Sequence, residues 1–275
     1  MKTGISPDTF NLTPVTLIVV RVSILASGSG GNACVVESGR TRVLVDAGMS
    51  AKEIERRMLG RGIEPETIRG IFITHEHADH SSGALVFSAR WQCAIFTTAG
   101  TAAAIGLEGN LFSPFVRIEA GREGRIGDIG FRAFATPHDA NESVAYAFEE
   151  GGARAVIASD LGRAEEDFVE FLRDSTTLLL EFNHDEDMLR DGPYTWPLKQ
   201  RISGGWGHLS NRQSAEAVRR AAGQRLRRVV GTHLSRTNNV PPLALAALAE
   251  ALERAGSPAV AGVADQVQGF EPFDA

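Results

Sequence analysis

Thr74-His75-Glu76-His77-Ala78-Asp79-His80-Ser81 holds three of the chain's seven histidines and directly follows the β-branched apolar run Ile71-Phe72-Ile73. That run reads as a buried strand and residues 82–90 read as a helix, so the polar stretch falls on a strand-to-helix turn. Alternate side chains of an extended segment share a face, which lets His75 and His77 converge on one cation. Asp79 and His80, past the bend, reach a second. Four potential ligands within six residues of a buried strand are seldom a chance arrangement of solvated side chains. Imidazoles suit zinc, and the mixed histidine and carboxylate set also admits manganese or iron. The residue four beyond His75 is Asp79, so the His-Glu-x-x-His protease pattern is not met.

The same strand-end placement recurs along the chain. Residues 131–136 read as a strand ending in Pro137-His138-Asp139-Ala140, which makes His138 the third ligand of the first cation. Residues 153–159 end in Ser159-Asp160-Leu161-Gly162. A carboxylate has two oxygens and can bridge two cations, the role given to Asp160; capping a helix over 164–172 is its other reading. Residues 177–182 deliver Glu181, Asn183, His184 and Asp185 to a strand end, and residues 226–232 deliver His233, Leu234 and Ser235. Asp46 closes a strand over 42–45, before Ser50 caps a helix running to Leu59. It either buttresses the metal-binding loop by hydrogen bonding or is an ordinary turn residue. All seven histidines lie in such segments, which points to one shared metal site.

Ser27-Gly28-Ser29-Gly30-Gly31-Asn32 leads into a strand and lacks a following Lys-Ser/Thr pair, so a hairpin is favoured over a phosphate-binding loop. Tyr194 and Trp196 follow with prolines around them, and Ser203-Gly204-Gly205-Trp206-Gly207-His208-Leu209-Ser210-Asn211 reads as a polar, glycine-rich loop; the aromatics either stack on a base or pack the loop. Helices follow over 211–222 and 241–254, with a last strand over 259–263.

The chain has 275 residues, a net charge of −6 and two cysteines, Cys34 and Cys93, placed in apolar strands. Those buried thiols fit a reducing cytoplasm. No apolar run is long enough to span a bilayer, and no signal-peptide pattern opens the chain. Residues 1–14 read as a disordered extension, with a start near Val20 as the alternative. From Lys199 to Arg228 there are eight bases and one acid, a basic patch for an anionic substrate or else a solvated helix face.

His75-x-His77-x-Asp79-His80, then His138, Asp160 and His233, resemble the ligand series of the metallo-β-lactamase superfamily. The resemblance implies an α/β fold, a four-layer αββα sandwich of two mixed sheets with helices outside, built as one domain over residues 15–275. Leu25 to Ser29, Val45 to Gly48, Asn183-His184-Asp185, Gly207 to Asn211 and His233-Leu234-Ser235 look more closely like its YycJ/WalJ branch. Members of that branch are regarded as metal-dependent hydrolases, some with proposed DNA exonuclease activity from the 5′ end. The late motifs resemble those of ribonuclease Z, which implies His233 as a ligand of the second metal and Glu181 with His208 as a proton-relay pair.

These readings combine into a dinuclear phosphodiesterase, DNA favoured over RNA, with zinc the first choice of metal. His75, His77 and His138 form one site, Asp79, His80 and His233 the other, and Asp160 bridges. Hydroxide held between the cations attacks phosphorus, Asp79 orienting or deprotonating it. Asp46, His184, Trp206 and Ser235 are substrate-contacting or supporting residues. A small-molecule phosphodiesterase or thiolester hydrolase is the alternative, and a non-catalytic binding protein the third.

Overall fold

The computed structural model describes residues 20–275; the expected extension over 1–14 lies outside the described residues. Two seven-stranded mixed sheets carry the chain. The first contains β1 (Arg21–Ala26), β2 (Ala33–Ser38), β3 (Thr41–Val45), β4 (Ile68–Phe72), β5 (Ala94–Thr97) and β6 (Phe115–Arg117), closed at its other edge by β14 (Phe270–Asp274). The second contains β7 (Glu123–Ile126), β8 (Ile129–Ala135), β9 (Val144–Glu150), β10 (Ala153–Ala158), β11 (Thr177–Glu181), β12 (Arg228–Thr232) and β13 (Val260–Val263). Each sheet makes three antiparallel steps and then three parallel ones, so β3 and β10 hold equivalent places.

Strand alternation sorts the apolar side chains into layers. Val43, Val45, Ile157, Leu179 and Val230 meet between the sheets, where Phe72 stacks on Phe96 at 4.6 Å and meets Phe131, Tyr146 and Phe148 edge-on. Leu44, Val35 and Ile71 face the opposite way, against α1 (Ala51–Leu59), α3 (Ala84–Trp91) and α4 (Ala99–Ala104). Leu178, Leu180 and Val229 pack under α5 (Glu166–Leu172), α8 (Asn211–Ala221) and α9 (Pro241–Arg254). The result is the expected four-layer αββα sandwich. Both faces of the central strands are covered, which is why they read as continuous apolar runs rather than alternating ones.

Three local features go beyond what the sequence indicates. The helix read over 82–90 is present as α3, and a single turn, α2 (Ala78–Ser81), precedes it, separated by Gly83, which passes close beneath the loop after β3. The Gly83 amide donates to Ala47 O at 2.8 Å, and a β-carbon there would sit 2.0 Å from Met49 O. Ahead of the glycine-rich loop lie α6 (Glu186–Asp191) and α7 (Trp196–Ser203), for which no helix is expected. Asp185 caps α6, accepting from the Asp187 and Met188 amides, whereas α7 buries no residue and so shows no apolar stripe. Finally, β14 was not expected; Pro272 in its middle is tolerated because the strand lies at a sheet edge. Cys34 and Cys93 are buried free thiols. Among the described residues no helix is long and apolar enough to cross a membrane.

Candidate functional site

In each sheet the chain leaves the strand at which antiparallel pairing gives way to parallel through an aspartate of left-handed backbone, Asp46 (φ 57°) after β3 and Asp160 (φ 58°) after β10; His233 after β12 has the same conformation (φ 54°). Such conformations cost about 1–2 kcal/mol for a non-glycine residue and cluster where function over-determines the backbone. Carboxyl ends of parallel strands are where open α/β sheets bind ligands.

Asp46 organises the first half of the site. Its Oδ1 accepts from the Thr74 amide at 2.9 Å, and its Oδ2 accepts from His80 Nδ1 at 2.7 Å. The Thr74 hydroxyl donates to the same carboxylate at 3.0 Å and accepts from His75 Nδ1 at 3.0 Å. Nδ1 of both imidazoles is thereby engaged and Nε2 is turned toward the other side chains of the cluster, the arrangement that orients metal-ligating histidines. From the other side the Asn32 amide donates to Asp79 O at 2.8 Å, and its side chain reaches His80 Nε2 at 2.9 Å. Gly48 lies against the same turn, and a β-carbon there would sit 1.6 Å from Asp79 O. Gly48→Ala is expected to lower stability by about 3 kcal/mol or more, since backbone must move. The urea midpoint, against Gly223→Ala where nothing lies within 4 Å, checks this.

Glu181 organises the second half. Its carboxylate accepts from the amides of Asp160 (3.2 Å), Leu161 (2.9 Å) and Leu209 (2.8 Å), and from His208 Nδ1 at 3.0 Å. The His233 amide donates to Ser27 Oγ at 2.8 Å, and His138 Nδ1 donates to Gly207 O at 3.1 Å.

These supports bring His75, His77 and His138 together as one donor triad, and Asp79, His80 and His233 as another, with donor atoms of each triad within 4.8 Å of one another. Asp160 lies between them, 3.0 Å from His80 Nε2 and 3.6 Å from His138 Nε2. His75 Nε2 is buried with no hydrogen-bond partner, and Asp160 Oδ2, also buried, has only the His80 ring beside it. Orphaned buried donors and acceptors are rare in native proteins, and a cation between these atoms satisfies both. The residues therefore fit divalent metal.

The electrostatics agree. Burial and the neighbouring His80 push His75 well below the usual histidine range. Burial opposes charge on His80 and His233 too, but there carboxylates win: Asp160 and Asp46 hold His80 well above its ordinary value, and Asp160 raises His233 to about 10. Asp160 itself is held well below the carboxylate range, against burial, by His233 and His80. Against its own burial Glu181 is lowered to about 2 by His208, whose ring Glu181 in turn raises. The protons these carboxylates draw onto the rings mark where positive charge is wanted.

The triads floor an open cleft of about 200 Å³ that Ser29, Tyr194, Leu198, Arg201, Leu234 and Ser235 also line. His208 lines it as well, half-buried. Other expected contact residues are placed differently. His184 is 1 % exposed and does not line the cleft; its segment pairs with Ser210. Trp206 is exposed on the outer rim with Arg163 stacked on its ring at 5.2 Å, and Phe134 and Phe168 share the shallow pocket beneath it. Half of the bases over 199–228 are paired with carboxylates, Arg212 with Glu186, Arg220 with Glu166, Arg201 with Asp139 and Arg219 with Glu216. Thr74, Asn32 and Ser27 were missed as supporting residues. Thr74 was quoted within the motif, and Asn32 ends the glycine turn, so only their contacts were hidden.

Two facing mixed sheets with a histidine and carboxylate centre at their mouth define a metal-dependent hydrolase of the metallo-β-lactamase type. Residues 41–234 match the family described as the Beta-lactamase superfamily domain. Among curated proteins the chain is 36 % identical, over 228 residues covering 82 % of it and 85 % of the relative, to Exodeoxyribonuclease WalJ of Streptococcus pneumoniae. It is 32 % identical over 236 residues, covering 85 % and 89 %, to Exodeoxyribonuclease YycJ of Bacillus anthracis. The metallo-β-lactamase fold protein YhfI of Bacillus subtilis superposes with a TM-score of 0.71 at 17 % identity, covering 94 % of this chain and all of that one. The chain belongs to the metallo-β-lactamase superfamily, in its YycJ/WalJ-like group.

Proposed function

We propose that this hydrolase is a dinuclear phosphodiesterase that degrades DNA from a strand end. The observation that carries the reading is the pair of donor triads flanking one buried carboxylate, Asp160, with His75 Nε2 buried and unpartnered beside it. The exodeoxyribonuclease names of both relatives support DNA as substrate. His75, His77 and His138 would hold one cation, Asp79, His80 and His233 the other, and Asp160 both. Zinc suits the imidazole-rich set best, with manganese or iron admitted by its carboxylates. Bound there, two divalent cations activate water near neutral pH and neutralise charge developing on a phosphoryl group.

The chain's own residues supply the rest. Asp79, a quarter exposed in the cleft, is placed to orient the attacking water. His208 donates Nδ1–H to Glu181, which points its other nitrogen toward the cleft for protonating the departing oxygen. Tyr194, Leu198 and Arg201 wall the side toward α7.

Metal-reconstituted protein should bind two cations per chain by elemental analysis and shorten end-labelled single- or double-stranded DNA. A panel of DNA, RNA and bis(p-nitrophenyl) phosphate tests this, and turnover of the small diester alone would overturn the nuclease reading in favour of a small-molecule phosphodiesterase. Asp46→Asn is expected to weaken metal affinity by about 10–100-fold, the usual effect of removing a residue that orients ligating histidines. Competition with a chelating dye measures it.

A further inference from the structure

Ser27 and Asn32 support the site from the two ends of the turn Ser27-Gly28-Ser29-Gly30-Gly31-Asn32, but its apex, Ser29-Gly30, has no part in this chemistry. Its ends are anchored: the Gly31 amide donates to Gly28 O at 2.9 Å, and the Gly28 amide to Asn32 Oδ1 at 2.7 Å. Its apex is not. Ser29 and Gly30 are exposed, their amides have no acceptor among the described residues, and Ser29 lines the cleft. Beneath the turn lies Gln266, whose side-chain nitrogen and oxygen are both buried without partners. A β-carbon on Gly30 would come within 2.7 Å of that nitrogen, so the apex backbone lies directly over the Gln266 side chain.

Across from the apex, Ser235 also lines the cleft. Its oxygen accepts from the amides of Thr237 (3.4 Å) and Asn238 (3.1 Å), which leaves the hydroxyl proton free to donate elsewhere. Arg236 is exposed, and one of its guanidinium nitrogens lies 3.4 Å from the β-carbon position of Gly30. Among the described residues it has no carboxylate partner, in contrast to Arg201, Arg212 and Arg220.

Resting on the nuclease reading, we propose that Ser29, Gly30, Ser235 and Arg236 form a docking subsite for the phosphate monoester that terminates a nucleic-acid strand. Two amides, a hydroxyl and a guanidinium converge from two loops, all donors. A monoester presents three acceptor oxygens and nearly two negative charges, which match such a set better than the single charge of an internal diester. The cleft, at about 200 Å³, is smaller than pockets that enclose whole small molecules, so it takes a phosphate and adjoining sugar atoms while the base stays outside. Recognition of a terminal phosphate confines cleavage to strand ends.

The test is fluorescence anisotropy of metal-reconstituted protein with an internally labelled oligodeoxynucleotide of nuclease-resistant backbone. The oligonucleotide is prepared with a 5′-phosphate, with a 3′-phosphate, or with hydroxyls at both ends. One phosphorylated form is expected to bind about tenfold more tightly than the hydroxyl form, the size of one charge-assisted hydrogen bond, and which one identifies the end that docks. Arg236→Ala and Ser235→Ala should each reduce that preference, the former at unchanged melting temperature. Equal affinity for all three forms, or a preference intact in both variants, overturns the proposal. Binding is read on uncut strands, so failure of every cleavage assay would refute the nuclease reading while the subsite stands or falls on anisotropy.

Discussion

Asp160→Asn is expected to lower phosphodiesterase kcat/KM by about a thousandfold or more. A carboxylate about 4 Å from a unit charge contributes about 4 kcal/mol at an effective dielectric of 20, and about 1.4 kcal/mol is a factor of ten in rate. Asp160 is buried, with charged groups on every side, so solvent does little to screen the loss. Asparagine is the informative replacement because Asp160 has a φ of 58°, a conformation that asparagine tolerates and alanine does not. Asp160→Ala adds backbone strain to lost charge and confuses the two. Elemental analysis should show metal content falling with activity, and His75→Ala should produce the same pairing from the opposite sheet. Near-normal turnover in Asp160→Asn with two metals retained would refute the bridging role.

The layered fold was legible because the strands are buried on both faces and the helices are capped. Ser50 and the Pro241-Pro242 pair announced α1 and α9 within a residue. The histidine cluster was legible for a similar reason, since each ligand type follows an apolar strand that only a sheet mouth can place. What escaped reading lacks such periodicity. Helix α7 buries no residue, so its sequence carries no apolar stripe, and β14 is a five-residue edge strand broken by Pro272. The basic patch is thinner than the sequence count for another reason: charge counted along a segment ignores partners, and Glu166 and Glu186 from the preceding acidic stretch face Arg220 and Arg212 across space. His184 shares the strand-end placement of the ligands, yet its ring is buried away from the cleft. Strand-end position selects the neighbourhood of a site, and the direction of the side chain decides membership.

His208→Ala is expected to slow DNA hydrolysis by about 10²–10⁴-fold, the span for losing a positioned general acid. The decisive comparison is with bis(p-nitrophenyl) phosphate, whose departing nitrophenolate needs no proton. If His208 protonates the leaving oxygen, the variant should lose far less on that substrate than on DNA; an equal loss on both would assign the ring to binding or support instead. Glu181 cannot be tested in the same way. Its carboxylate also accepts the Asp160, Leu161 and Leu209 amides, all buried, so Glu181→Ala strands three N–H groups at about 1–3 kcal/mol each. That variant should unfold more readily before its chemistry can be read. Glu181→Gln keeps an acceptor for some of those amides but presents an N–H to others, so part of the penalty remains. In the proposed mechanism His208 carries the proton while Glu181 holds the buried amides beneath it, which is why only the histidine's removal separates leaving-group protonation from the integrity of the site.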